Sequence, residues 1–188
     1  MVCCGVQFWQ KRKNNNKMNN REQICPFSPD ELLRYEKEVR RRILEKDGGT
    51  FLNKSAWHAS IILREFLRSA QDNVRILCGK LNEAVYGTLW PEFESAIERG
   101  VRVQVLTESR DVSATALAES LRARGAFRSL SGPCGIFHFA IVDGMRYRAE
   151  REEVDKSALV CACASNSKEL WRVHMMGEIF DDLWSKAQ

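Results

Sequence analysis

The chain has 188 residues, 44% of them hydrophobic and 29% charged, which is the make-up of a globular protein with room for one domain of ordinary size rather than two. Its formal charge of +4 is mild, and Lys11, Arg12, Lys13, Lys17 and Arg21 all precede the first acid, Glu22. The rest is near neutral, so charge alone marks no nucleic-acid surface. No apolar run is long enough for a membrane span. The seven cysteines are odd in number, form no Cys-x-x-Cys pair and have no histidine at ligand spacing. They are expected to be reduced, with Cys161 and Cys163 packed side by side in a core; a cytoplasmic setting without metal or cofactor follows.

Residues 1–26 read as a flexible tail ending at Cys25-Pro26. Within it Lys11-Arg12-Lys13, which a purine run can encode, precedes Met18, an alternative start of the kind bacterial ribosomes use. Residues 27–72 are expected to form a helical pair. Ser28-Pro29-Asp30-Glu31 carries an N-cap, a first-turn proline and a capping-box glutamate. Leu32, Tyr35, Val39 and Ile43, with Leu33 and Leu44, recur at helical spacing until Gly48-Gly49. Arg40-Arg41-Arg42 falls on the outer turn as a solvated face. The second helix, over 54–70, turns Ala56, Ile61, Ile62, Phe66 and Leu67 inward, with His58 as a surface or capping residue.

Residues 73–188 alternate strands and helices. Val74–Cys78 is a strand, a helical stretch broken near Gly87 and Pro91 follows, and Gly100 leads into a strand over 101–106, which makes a parallel crossover. Asp111 or Ser113 caps a helix through Arg124, followed by a short strand over 126–130. Residues 151–156 are a charged connection, and 157–164 is a nearly continuous apolar strand of the kind covered on both faces. The last helix is capped within Ser165-Asn166-Ser167 and packs through Leu170, Val173, Ile179, Phe180, Leu183 and Trp184; His174 on it is assigned a packing or surface role.

The chemistry concentrates in the hairpin between the fourth strand and the charged connection. Ile136 to Val142 is a strand that places Ile136, His138, Ala140 and Val142 on one face and Phe137, Phe139 and Ile141 on the other. Asp143-Gly144 is the turn, and Arg146, Arg148 and Glu150 share a face of the returning strand.

These residues resemble the catalytic strand of the phospholipase D superfamily, whose motif is His-x-Lys-x-x-x-x-Asp followed by Gly. Setting Val142-Asp143-Gly144 on the family's Val-Asp-Gly places Asp143 at the motif aspartate, His138 at the lysine and Ile136 at the histidine. The family's histidine is the nucleophile of a covalent phosphoenzyme, and its lysine holds phosphoryl oxygens; Ile136 can do neither. The other setting, with His138 as the histidine, puts Ala140 at the lysine and Met145 at the aspartate. No second motif copy is present, and Tyr147-Arg148-Ala149-Glu150 stands where active members carry Gly-Ser-x-Asn.

The resemblance covers 73–188 and implies an α/β fold: a single phospholipase D-like half with a mixed central sheet flanked by helices, preceded by the helical pair. It implies a catalytically incomplete member, a binding or assembly subunit of the bacterial cytoplasm. A residual anion pocket would be lined by His138, Arg146, Arg148 and Glu150, with Asp143 and Gly144 shaping the turn. In the plainer reading His138 is a core histidine bonded across the hairpin, and Arg148 and Glu150 are an ordinary ion pair. A protein partner or a second copy of the chain is the expected partner, nucleic acid is the other candidate, and no membrane is involved. Two alternatives stand beside this reading: a homodimeric phosphodiesterase or nuclease using His138, and a nucleotide sensor.

Overall fold

The computed structural model describes residues 25–108, 116–150 and 157–188. The expected tail, the start at Met18, the cap at Asp111 or Ser113 and the charged connection over 151–156 lie outside the described residues, except for Cys25 and Pro26 at the end of the tail. Helix α1 (Pro29–Leu44) begins where its capping box directs. The Ser28 side chain accepts from the Glu31 N–H, and Glu31 accepts in return from the Ser28 N–H. Strand β1 (Thr50–Asn53) and helix α2 (Ala56–Ser69) follow.

Strand β2 (Asn73–Cys78) leads through α3 (Glu83–Tyr86) and α4 (Trp90–Glu98) to β3 (Arg102–Thr107). The two strands are parallel, as the spacing predicted. Gly100 makes the connecting turn at φ +85°, a conformation that disfavours a side chain. Helix α5 (Ala116–Ala123) then gives β4 (Phe127–Ser129). The hairpin is β5 (Phe139–Val142) and β6 (Arg146–Glu150), and β7 (Ala158–Cys161) and α6 (Ser167–Lys186) complete the chain.

The seven strands form one mixed sheet in the order β1-β7-β6-β5-β2-β3-β4. Strands β2, β3 and β4 run parallel, and the remaining pairings are antiparallel. Apolar side chains from α1, α2, α4 and α5 bury one face of the sheet, including Val39, Ile62, Phe66, Phe93 and Leu121. Helix α6 buries the other through Val173, Met176 and Phe180. Alternation along β5 divides the two cores: Ala140 and Val142 join the first, Phe139 and Ile141 the second.

Several sequence expectations need correction. Residues 50–53, read as a link between two helices, pair antiparallel with β7 and close that edge of the sheet. The hairpin's first strand starts at Phe139, three residues later than predicted, and Ile136 does not share a face with His138. It packs with Phe137 against the α6-side core. Leu33, Leu44 and Leu170 are exposed rather than inward. Cys161 is buried but Cys163 is half-exposed, because β7 ends between them. His58 is more than a cap neighbour: it stacks on Tyr35 at 4.0 Å and meets Phe27 at 4.6 Å. His174 is exposed, but with an acid one turn on, Glu178 at 3.3 Å.

Arg40, Arg41 and Arg42 are spent within the fold. They pair with Glu36, Glu38, Glu45, Asp47 and Glu65. Among the described residues no helix is long and apolar enough to cross a membrane.

Candidate functional site at the carboxyl edge of the parallel strands

Parallel strands offer their carboxyl ends as the place where side chains from different loops converge. Gly79 follows β2, Glu108 follows β3, His138 precedes β5 and Glu150 ends β6, and sheet order brings all four to one edge. His138 lies between two carboxylates. Its Nδ1 is 3.0 Å from Glu150 Oε2, and its Nε2 is 3.1 Å from Glu108 Oε2.

The chain of contacts continues on both sides. Glu108 Oε1 accepts from the N–H and the thiol of Cys134, each at 2.9 Å. Arg148 Nη1 donates to Glu150 Oε1 at 3.1 Å, and Arg148 Nε donates to Asn53 Oδ1 at 2.8 Å. Gly79 makes room for the imidazole: a Cβ there would stand 2.9 Å from His138 Cε1.

The sequence-predicted site residues therefore separate. His138, Arg148 and Glu150 meet in one network. Arg146 does not reach it: at the hairpin end of β6 its Nη1 donates to Asp143 Oδ2 at 2.9 Å and to the Ser69 carbonyl. Asp143 holds more than its own turn. Its carboxylate accepts from the N–H groups of Gln71, Asp72 and Asn73, the entry to β2. Asp143 and Gly144 both take positive φ, +52° and +63°, as a two-residue hairpin turn of this hand requires.

Glu108, Cys134, Asn53 and Gly79 escaped sequence reasoning. Glu108 and Gly79 carry a usable signal, since Gly79 directly follows one predicted parallel strand and Glu108 lies two residues past the end of the other. Asn53 has none, because the strand that carries it was not foreseen.

The electrostatics follow from this geometry. The Glu150 hydrogen bond, with that of Glu108, holds His138 above its ordinary pKa against a burial that works the other way. Burial works to raise Glu108, but Cys134 and His138 outweigh it and the carboxyl sits below its usual range. Burial likewise opposes ionisation of Glu150, and His138 and Arg148 overcome it. Burial first, and Glu108 second, push the Cys134 thiol up, away from reactive thiolate character.

The sign of the pH dependence is fixed by these directions. The imidazolium contribution is fully present below the ordinary histidine value, about 6.5, and is lost as pH rises through the raised folded value. The carboxylate contributions are present above about pH 4.3 and are lost as pH falls through their lowered values. Stability from this cluster is therefore greatest between those limits. Urea midpoints should be higher near pH 5.5 than near pH 8, and His138→Asn should abolish that difference. An undiminished difference in the variant would assign it to another group.

No group of three His, Cys, Asp or Glu side chains among the described residues is placed to hold a metal ion. The two carboxylates approach the imidazole from opposite edges of the ring and share no common point with it.

No protein-family model matches the sequence, and no curated protein matches it significantly. Solved structures do. TrmBL2, an archaeal chromatin protein whose structure shows a novel mode of DNA binding, superposes with a TM-score of 0.58 at 16% identity, over 85% of this chain and 64% of that one. This chain thus spans less than two thirds of the chromatin protein. NucT from Helicobacter pylori superposes with a TM-score of 0.57 at 12% identity, over 74% of this chain and 97% of that one. At such identities the likeness is one of fold. The mixed seven-stranded sheet with helices on both faces is consistent with a phospholipase D-like α/β architecture.

Proposed function

We propose that this protein is a non-catalytic, phospholipase D-like binding subunit of the cytoplasm that holds nucleic acid along the sheet edge around His138 without cutting it. The observation that carries this reading is the imidazole with a carboxylate on each nitrogen. An attacking histidine needs a free lone pair aimed at phosphorus, whereas this ring directs both nitrogens at acids. Two carboxylates at the same place also repel a phosphodiester. Ile136, at the nucleophile's position in the family motif, is an aliphatic chain packed against the α6-side core.

Arg146 and Arg148 are committed to Asp143 and to Asn53 and Glu150. The anion contact therefore moves outward from the pocket the sequence outlined. Lys54 follows Asn53 and Lys80 follows Gly79; both are exposed at this edge and suit backbone phosphates. The DNA-binding mode of TrmBL2 supports a nucleic-acid partner over a protein one. The free cysteines Cys25, Cys78, Cys134, Cys161 and Cys163 support a reducing compartment.

The test pairs binding with turnover. Labelled DNA should bind with an affinity that falls steeply with salt, and Lys54→Glu with Lys80→Glu should weaken it. Hydrolysis of bis(p-nitrophenyl) phosphate, with chelator present, should stay at background in the wild type and in His138→Ala alike. Metal-independent turnover abolished by His138→Ala would establish the homodimeric phosphodiesterase instead. Co-elution with a protein in the absence of DNA binding would make the partner a protein.

A further inference from the structure

Both ring nitrogens of His138 face carboxylate oxygens, Nδ1 toward Glu150 at 3.0 Å and Nε2 toward Glu108 at 3.1 Å. An ionised carboxylate accepts hydrogen bonds and donates none, so both contacts are hydrogen bonds only when each nitrogen carries a proton. The arrangement therefore defines an imidazolium. A neutral ring keeps one N–H and turns a lone pair toward the other acid.

The remaining oxygens determine which acid loses its counter-charge. Glu150 Oε1 accepts from Arg148 Nη1 at 3.1 Å, so this carboxylate keeps a positive partner whatever the state of the ring. Glu108 Oε1 accepts from the N–H and the thiol of Cys134, which are neutral donors. Among the described residues the imidazolium is the one positive group that acts on Glu108. Cys78 on β2 and Tyr86 on α3 also lie within the field of these charges, and burial keeps both of them, and Cys134, protonated through the neutral range. His138 is thus the group of this cluster whose charge changes there.

The uncompensated acid stands beside a lysine. A Cβ at Gly79 would lie 2.9 Å from His138 Cε1 and 3.8 Å from Glu108 Oε2, and Lys80 is the next residue. Lys54 follows Asn53, whose Oδ1 accepts from Arg148 Nε at 2.8 Å. Both lysines are exposed.

We propose that His138 is a proton switch on nucleic-acid binding, the edge holding phosphates more tightly with the ring charged than with it neutral. The inference rests on the nucleic-acid reading above and adds its regulation. With the ring charged, Arg148 offsets Glu150 and the imidazolium offsets Glu108, and Lys54 and Lys80 meet the phosphate backbone unopposed. With the ring neutral, the Glu108 carboxylate faces the same phosphates without a counter-charge. One such charge at an exposed edge changes affinity by about fivefold.

Fluorescence anisotropy with labelled DNA, on the full chain at constant ionic strength, tests the switch. From about pH 6 to about pH 9 the affinity should fall about fivefold, with the midpoint at which the His138 ring titrates by proton NMR. His138→Asn should flatten the curve. Glu108→Gln gives the neutral ring an amide donor in place of an acid, and should retain at about pH 9 the affinity of the wild type at about pH 6. His174→Asn, which removes the exposed histidine beside Glu178, should leave the wild-type curve unchanged. Equal affinity at both ends of the range, a fall that persists in full in both His138→Asn and Glu108→Gln, or a curve flattened by His174→Asn would overturn the switch while the nucleic-acid reading stands. DNA, single or double stranded, bound at no pH would overturn both.

Discussion

Asp143→Ala is expected to destabilise the protein by about 3 kcal/mol, because one substitution strips the acceptor from four donors at once. The Asp143 carboxylate is 6% exposed and accepts from three consecutive backbone N–H groups, those of Gln71, Asp72 and Asn73, besides Arg146 Nη1. It thereby ties the β5–β6 turn to the entry of β2, which is paired with β3 on one side and β5 on the other. Alanine also places a Cβ-bearing residue with no compensating local bond at φ +52°. Asp143→Asn keeps one acceptor and tolerates the left-handed conformation, so its loss should be about 1 kcal/mol. Urea unfolding followed by circular dichroism measures both. A loss below about 1 kcal/mol for the alanine variant would show that the turn is secured by its backbone alone.

Arg148→Met should cost about 2 kcal/mol and shift the histidine titration. Arg148 is 8% exposed, and its guanidinium joins Asn53 on β1 to Glu150 on β6 across the intervening β7. Methionine preserves much of the stem but leaves the buried Asn53 carbonyl without its donor and Glu150 without its arginine. The more negative Glu150 then holds the His138 proton more firmly, so the imidazole should titrate at still higher pH by proton NMR. The opposite pattern, unchanged stability with lost anion binding, would return Arg148 to the anion pocket that the sequence suggested.

Arg146 and Arg148 show where reading the sequence reached its limit. Alternation along β6 correctly puts Arg146, Arg148 and Glu150 on one face, yet four residues of strand carry Arg146 to the hairpin end and Glu150 to the opposite edge. Sharing a face is a local property; sharing a site depends on which end of the strand the neighbouring loops reach. The aromatic residues behave similarly. Trp184 stacks on Phe180 at 5.8 Å, while Trp171, thirteen residues earlier on the same helix, is 63% exposed. Leu170 was expected inward on periodicity and is instead 47% exposed.

Strand β1 was invisible for a physical reason. Four residues, Thr50–Asn53, are too few to show a period, and they follow a Gly-Gly pair that lies beyond the end of α1 at Leu44. They become a strand because β7 presents an unpaired edge with matching register, Thr50 to Cys161 through Asn53 to Ala158. The continuous apolar character of the 157–164 segment predicted cover on both faces of the sheet and carried no information about which strand pairs along its edge.

What the sequence determined by itself is what neighbouring residues settle among themselves: the capped start of α1, the parallel crossover from β2 to β3, and the turn at Asp143-Gly144. What only the tertiary structure decided is the company His138 keeps. Glu108 lies 30 residues away and Glu150 12, and no local rule pairs them with one ring. Sheet order did so, by bringing the end of β3, the start of β5 and the end of β6 to a single edge, where two acids and an imidazole lower one another's energy by sharing charge.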